Sequence, residues 1–149
     1  MDSLRSILLV EDNPNDVELT VTALNEAKLA NTIVVVNDGE QALDYLFRRN
    51  QFAGRSPGQP AVILLDLKMP KVDGHEVLRQ IRADPELRLI PTVVLTSSKE
   101  EKDLYESYSK GANSYVVKPV DFEEFATAIG KLGVFWAVLN EPPPGKTPR

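Results

Sequence analysis

Short runs of Val, Ile and Leu recur along this chain without alternating with polar residues. Ser6–Val10, Ile33–Val36, Ala61–Leu65, Thr92–Leu95 and Tyr115–Val117 are apolar nearly throughout. A strand with one wet face would carry a polar residue at every second position, so these runs predict strands buried on both faces. The segments between them have helical period. Val17, Val21 and Leu24 share one face, as do Leu43, Leu46 and Phe47, and Val77, Leu78 and Ile81. Helix starts are also marked. Asn13-Pro14 places a capping side chain before a proline at the first helical position. Asp38…Gln41, Ser98…Glu101 and Asp121…Glu124 fit capping boxes or their Asp variant.

The order is therefore β-α, repeated five times. Right-handed crossovers turn that order into an α/β fold: a doubly wound, flavodoxin-like parallel sheet of five strands, order 2-1-3-4-5, in three α/β/α layers. The 149 residues fit one domain of the usual ~100–200. We expect that domain over 1–140 and a loose Pro-rich tail over Glu141–Arg149, with no further domain.

Composition narrows the chemistry. There is no cysteine, which excludes disulfides, thiolate nucleophiles and sulfur-bound zinc. One histidine, His75, leaves no multi-His metal site and little room for a Ser-His-Asp triad; it reads as structural or solvated. Seventeen Lys+Arg against 22 Asp+Glu give a net charge of −5, the wrong sign for a DNA surface. The apolar run Ile7–Val10 is too short for a signal peptide, and Ala61–Leu65 is far short of a membrane span. The expectation is a cytoplasmic protein with neither DNA nor membrane as partner.

Open α/β sheets bind ligands at the carboxyl ends of their strands. The first predicted strand ends in Glu11-Asp12, the third in Asp66, the fourth in Thr96 and the fifth in Lys118-Pro119. In the order 2-1-3-4-5 the first and third strands are neighbours ~4.8 Å apart, so three carboxylates converge. Like charges this close need either a shared proton or a hard cation. With oxygen donors alone, Mg²⁺ fits best, and Mn²⁺ or Ca²⁺ satisfies the same donors. Glu11 and Asp12 would hold the metal, helped by the backbone carbonyl of Lys68. Such a set suits phosphoryl transfer, with a carboxylate as nucleophile and the metal and Lys118 neutralising the phosphoryl oxygens. Asp66, at the end of the most apolar strand, is the natural acceptor.

These residues carry a resemblance. I-L-L-V-E-D-N at Ile7–Asn13, L-L-D-L-K-M-P at Leu64–Pro70 with Asp73-Gly74, V-V-L-T-S at Val93–Ser97 and G-A-N-S-Y-V-V-K-P at Gly111–Pro119 are similar to the receiver domains of bacterial two-component response regulators. The resemblance implies phosphorylation of Asp66 by a histidine kinase, with Mg²⁺ on Glu11, Asp12, Asp66 and the Lys68 carbonyl. It implies that Thr96, Ser97 and Lys118 contact the phosphoryl group, that Thr96 and Tyr115 form the switch, and that Lys118-Pro119 is a cis peptide. A narrower likeness, to the small regulators paired with phytochromes, rests on Y-L-F-R-R-N-Q-F at Tyr45–Phe52 and V-D-F-E-E-F at Val120–Phe125. The long connection Arg48–Pro60, the extended last helix and the lack of a following output domain accompany it.

That last helix predicts a further surface. Phe122, Phe125, Ile129, Leu132 and Trp136 fall on one face, for the sheet, whereas Val134, Phe135 and Val138 fall off it. A helix apolar beyond one stripe needs a second burial surface. We expect a homodimer through the fourth and fifth helices and the strand between them, against the alternative that the tail folds back.

Blander readings stand beside these. Glu11 and Asp12 could cap the first helix, Thr96 could begin the fourth with Ser97 and Ser98, and Tyr115 could be plain core. Among rival functions, a haloacid-dehalogenase-like phosphohydrolase needs a second Asp where Lys68 stands. A flavodoxin-like cofactor protein would have Glu11 and Asp12 repelling its phosphate. A receiver used only for protein binding would not need the intact acceptor set. No GxxxxGK loop is present, so the phosphoryl donor is expected to be a phosphohistidine and not ATP.

Overall fold

The structure is a computed structural model that describes residues 6–26, 32–55, 58–69, 71–97, 114–121 and 123–127. Five parallel strands form one sheet: β1 (Ile7–Val10), β2 (Ile33–Val36), β3 (Val62–Asp66), β4 (Thr92–Thr96) and β5 (Ser114–Val117), in the order β2-β1-β3-β4-β5. Val10 pairs with Val36 and Leu65, Asp66 with Leu95, and Thr96 with Val117. The predicted order holds, and so do the strands to within a residue. β3 and β4 reach one residue further than the apolar runs, so Asp66 and Thr96 are the last rungs of the ladder.

Every residue of β1, β3 and β4 is buried, as the apolar runs predict. β2 and β5 differ. Ile33, Val34 and Val35 are half-buried, and so are Ser114 and Val117. The expectation of burial on both faces fails there because each of these strands stands at an edge with one neighbour, and Val-rich runs suit edges and centres alike.

The pleat divides the core in two. Leu8, Val10, Ile63, Leu65, Val94 and Tyr115 lie on one side, beneath α2 (Gly39–Phe47) and α3 (Gly74–Ala83). Ile7, Leu9, Val62, Leu64, Val93, Leu95 and Val116 lie on the other, with Leu24 of α1 (Pro14–Glu26) and Phe125 of the helical segment 123–127. Helices thus cover both faces. Of the predicted helical stripes, Leu24 of α1, Leu43 and Leu46 of α2, and Val77, Leu78 and Ile81 of α3 are at most 2% exposed, whereas Val17, Val21 and Phe47 are half-buried.

Caps start the helices where the sequence places them. Asn13 Oδ1 accepts from the N–H groups of Asn15 and Asp16 at 2.9 and 3.2 Å, ahead of Pro14. Asp38 Oδ1 accepts from Gln41 N, whose side chain in turn accepts from Asn37 N. Asp121 Oδ1 accepts from Glu124 N. The Ser98…Glu101 box, the fourth helix, Phe122, the last helix beyond 127 with Val134, Phe135 and Val138, and the tail 141–149 lie outside the described residues.

The long connection after α2 is anchored on that helix. It contains a 3-10 turn at Asn50–Phe52, whose Phe52 ring meets Tyr45 edge-on at a centroid distance of 5.2 Å. Arg55 stacks 4.1 Å over the Tyr45 ring and donates to the carbonyls of Tyr45 and Gly58 and to Gln59 Oε1. A planar fork with several donors fills this position in a way a lysine would not. The loop therefore packs on α2.

Candidate functional site: an acidic pocket at the strand ends

The ladder register sets the site. Glu11 directly follows Val10, the partner of Leu65, so it stands level with Asp66 at the carboxyl edge. Its N–H donates to Val36 O at 3.0 Å, which continues the β1–β2 pairing and fixes the backbone. On β3 the pleat sends Asp66 to the same side as Val62 and Leu64, the α1 side. Both acids are buried: Glu11 is 0% exposed and Asp66 5%. Asp12 is exposed. One carboxylate oxygen from each of Glu11, Asp12 and Asp66 lies within 4.8 Å of the others.

Lys118 reaches this cluster from the far side of β4. Its N–H donates to Thr96 O at 2.7 Å, and the Lys118-Pro119 peptide is cis. Lys118 Nζ donates to Asp16 Oδ2 at 2.9 Å, to Glu11 Oε1 at 3.0 Å and to Asp66 Oδ2 at 3.5 Å. Burial alone would push this ammonium down; the bonds to Asp16 and Glu11 and the nearby charge of Asp66 outweigh it and raise it above the ordinary lysine value. Lys118 is therefore a fixed cation.

Glu11 behaves oppositely. Burial lifts its carboxyl from the ordinary 4.5 to about 7, and the neighbouring Asp66 adds to the rise while Lys118 opposes it. Three clustered acids thus carry more negative charge than the lysine offsets. Hard oxygen donors, a charge excess and mutual approach fit a hard divalent cation. Asp66 Oδ1 accepts from Lys68 N at 3.1 Å, which orients its carboxylate.

A pH dependence follows. A carboxyl held above its unfolded value favours the folded state most below 4.5, and that contribution is lost as pH rises through about 7. Metal-free protein should lose on the order of 2 kcal/mol of stability across that window. Mg²⁺ should restore it, by an amount that grows with pH as the cation replaces the Glu11 proton. Urea denaturation of the parent and Glu11→Gln proteins, with and without Mg²⁺, checks this. A Glu11→Gln curve as steep as the parent's would refute the assignment.

Of the other predicted residues, Thr96 is 3% exposed at the end of β4, beside β3, and Ser97 is exposed just beyond it. Tyr115 is 7% exposed and lies in the cluster under α2 and α3. Asp16 is a site residue that sequence reasoning misses. An acidic residue in a helix's first turn is ordinary, and nothing local marks it as a partner for a lysine 102 positions away.

Two glycines hold the turn after Asp66. A Cβ on Gly74 would stand 2.4 Å from Asp66 O, and one on Gly39 would stand 1.8 Å from Val72 O. Asp73 Oδ1 caps α3 by accepting from Glu76 N at 3.0 Å, with the same Asp-x-x-Glu spacing as Asp121…Glu124. The turn after Asp66 is thus wedged between the starts of α2 and α3.

The family model described as "Response regulator receiver domain" matches residues 7–130. The solved structure of "Bacteriophytochrome response regulator RtBRR" is 61% identical with a TM-score of 0.85, covering 95% of this chain and 86% of that one. The Mn²⁺-bound form of response regulator Rcp1 is 35% identical with a TM-score of 0.69, covering 89% and 92%. "Probable methanogenesis regulatory protein FilR2" of Methanothrix harundinacea is 44% identical over 137 residues, 92% of this chain and 86% of the relative. Among the described residues, no helix is long and apolar enough to cross a membrane.

Proposed function

The chain belongs to the response regulator receiver domain family, and on that premise we propose that it accepts a phosphoryl group on Asp66 from the phosphohistidine of a sensor kinase. A receiver of this family binds a divalent metal and works in two-component signalling. The observation that carries the finer reading is the half-buried Lys118 Nζ, within ion-pair distance of the buried Glu11 and Asp66 at the carboxyl edge of β1, β3 and β5.

The residues divide the work. An Asp66 carboxylate oxygen attacks phosphorus; a P–O bond forms as the P–N bond to the imidazole breaks, and the imidazole leaves with its electron pair. Hydrolysis reverses the state, as water breaks the P–O bond and releases inorganic phosphate and the free carboxylate. Lys118 neutralises a phosphoryl oxygen, and Thr96 and Ser97 donate hydroxyls from the end of β4. Glu11, Asp12, Asp66 and the Lys68 carbonyl would hold Mg²⁺, with Mn²⁺ acceptable to the same donors. Bound there, the cation offsets charge on the transferring group. Thr96 moving toward the phosphoryl group, with Tyr115 following, would pass the change to the face formed by the fourth helix, β5 and the fifth helix.

We read 1–140 as the receiver unit, 141–149 as a tail, and the cytoplasm as the place of action. The 61% identity to a bacteriophytochrome response regulator supports a phytochrome-type kinase as donor. Homodimerisation through Val134, Phe135 and Val138 rests on the helical pattern alone. The deciding experiment treats the protein with acetyl phosphate and Mg²⁺, traps the acyl phosphate with borohydride and maps the reduced residue. Modification at Asp66 supports the reading; modification elsewhere, or none, refutes it.

A further inference from the structure

Lys118 has three N–H donors and three carboxylate acceptors, and these acceptors do not have equal standing. Glu11 and Asp66 belong to the acidic cluster suited to a cation, whereas Asp16 sits on the first turn of α1 outside it. Asp16 also makes the shortest of the three ion pairs, 2.9 Å against 3.0 and 3.5 Å. Its side chain is not needed to start the helix, because Asn13 Oδ1 already accepts from the N–H groups of Asn15 and Asp16.

An ammonium and a divalent cation are like charges competing for the same oxygens. When Glu11 and Asp66 turn to a metal, Lys118 is left with one of its three partners and is repelled. Its side chain is only 13% exposed, so leaving for solvent would unpack its stem. We propose that Asp16 is a positioning residue that holds Lys118 inside the site while Glu11 and Asp66 bind a divalent cation. Asp16 acts through the lysine and touches no reacting atom. This rests on the receiver reading of the site above.

The test is a double-mutant cycle read by Mn²⁺ binding alone, from the loss of the free-ion electron paramagnetic resonance signal. Without Asp16 the ammonium falls back onto Glu11 and Asp66 and must be displaced by the metal. Asp16→Asn should therefore weaken Mn²⁺ binding about fivefold, on the scale of one partly buried ion pair. In a Lys118→Met background the same substitution should change binding less than about twofold, since only the remote charge is removed. Equal losses in the two backgrounds, or no loss in the parent, overturn the proposal and leave the phosphoacceptor reading standing. A parent protein that takes up no Mn²⁺ overturns both.

Discussion

Asp66→Asn is expected to abolish labelling from a phosphohistidine donor or acetyl phosphate, by at least ~100-fold. Asparagine keeps the volume and shape of the side chain but has no anionic oxygen to form the P–O bond. A second effect separates a chemical defect from a folding defect. Asp66 raises the Glu11 carboxyl, so its removal relieves a like-charge repulsion in a buried pocket. Removing one partner of a buried ion pair ordinarily destabilises. Here the ion pair that the substitution breaks is the longest, 3.5 Å, and Lys118 keeps Asp16 and Glu11 at 2.9 and 3.0 Å. Relief should win, by on the order of 1 kcal/mol in metal-free protein. Label incorporation and urea midpoints check the pair of outcomes; a variant deficient in both activity and stability would contradict this account.

Gly74→Ala should be the more damaging change to the fold. The added methyl would meet Asp66 O and the Leu67 Cα at 2.4 Å, and neither is the end of a flexible side chain. Helix propensity favours alanine by about 1 kcal/mol, yet overpacking against backbone costs about 3 kcal/mol, so the clash dominates. Either α3 backs away from the sheet or the turn after Asp66 shifts. Displacing the nucleophile by even a fraction of an ångström should slow labelling roughly 10- to 100-fold in whatever protein remains folded. Gly54→Ala, where a methyl meets nothing within 4 Å, is the control and should stay within about 0.5 kcal/mol of the parent. Chemical denaturation and labelling rates measured on the two variants decide the matter; similar behaviour would rule out the wedge.

What could be read in advance follows from range. Apolar runs that stop at Asp66 and Thr96 mark strand ends because burial is recorded at each position, and the crossover rule turns five such runs into one sheet order. Asn13 and Asp121 declare their helices because a cap acts within three residues. Local pattern says nothing about pairings made across the fold. Asp16 gains its partner only when the folded sheet brings the end of β5 toward that of β1. Gly39 and Gly74 carry no sign of the backbone that crowds them, and Arg55 no sign of the ring beneath it. The edge positions of β2 and β5 are likewise properties of the assembled sheet.

The alternation of the pleat has one more consequence. Asp66 follows the parity of Leu64, whereas Thr96 follows that of Val94 and shares its side of the sheet with Tyr115. The proposed phosphoacceptor and the proposed reporter are thus on opposite banks of a wall one backbone thick. News of an occupied acceptor need not percolate through either hydrophobic layer. In the switch proposed above it is handed over the parapet, by a hydroxyl swinging at the strand tip, which would leave both halves of the interior free to stay rigid.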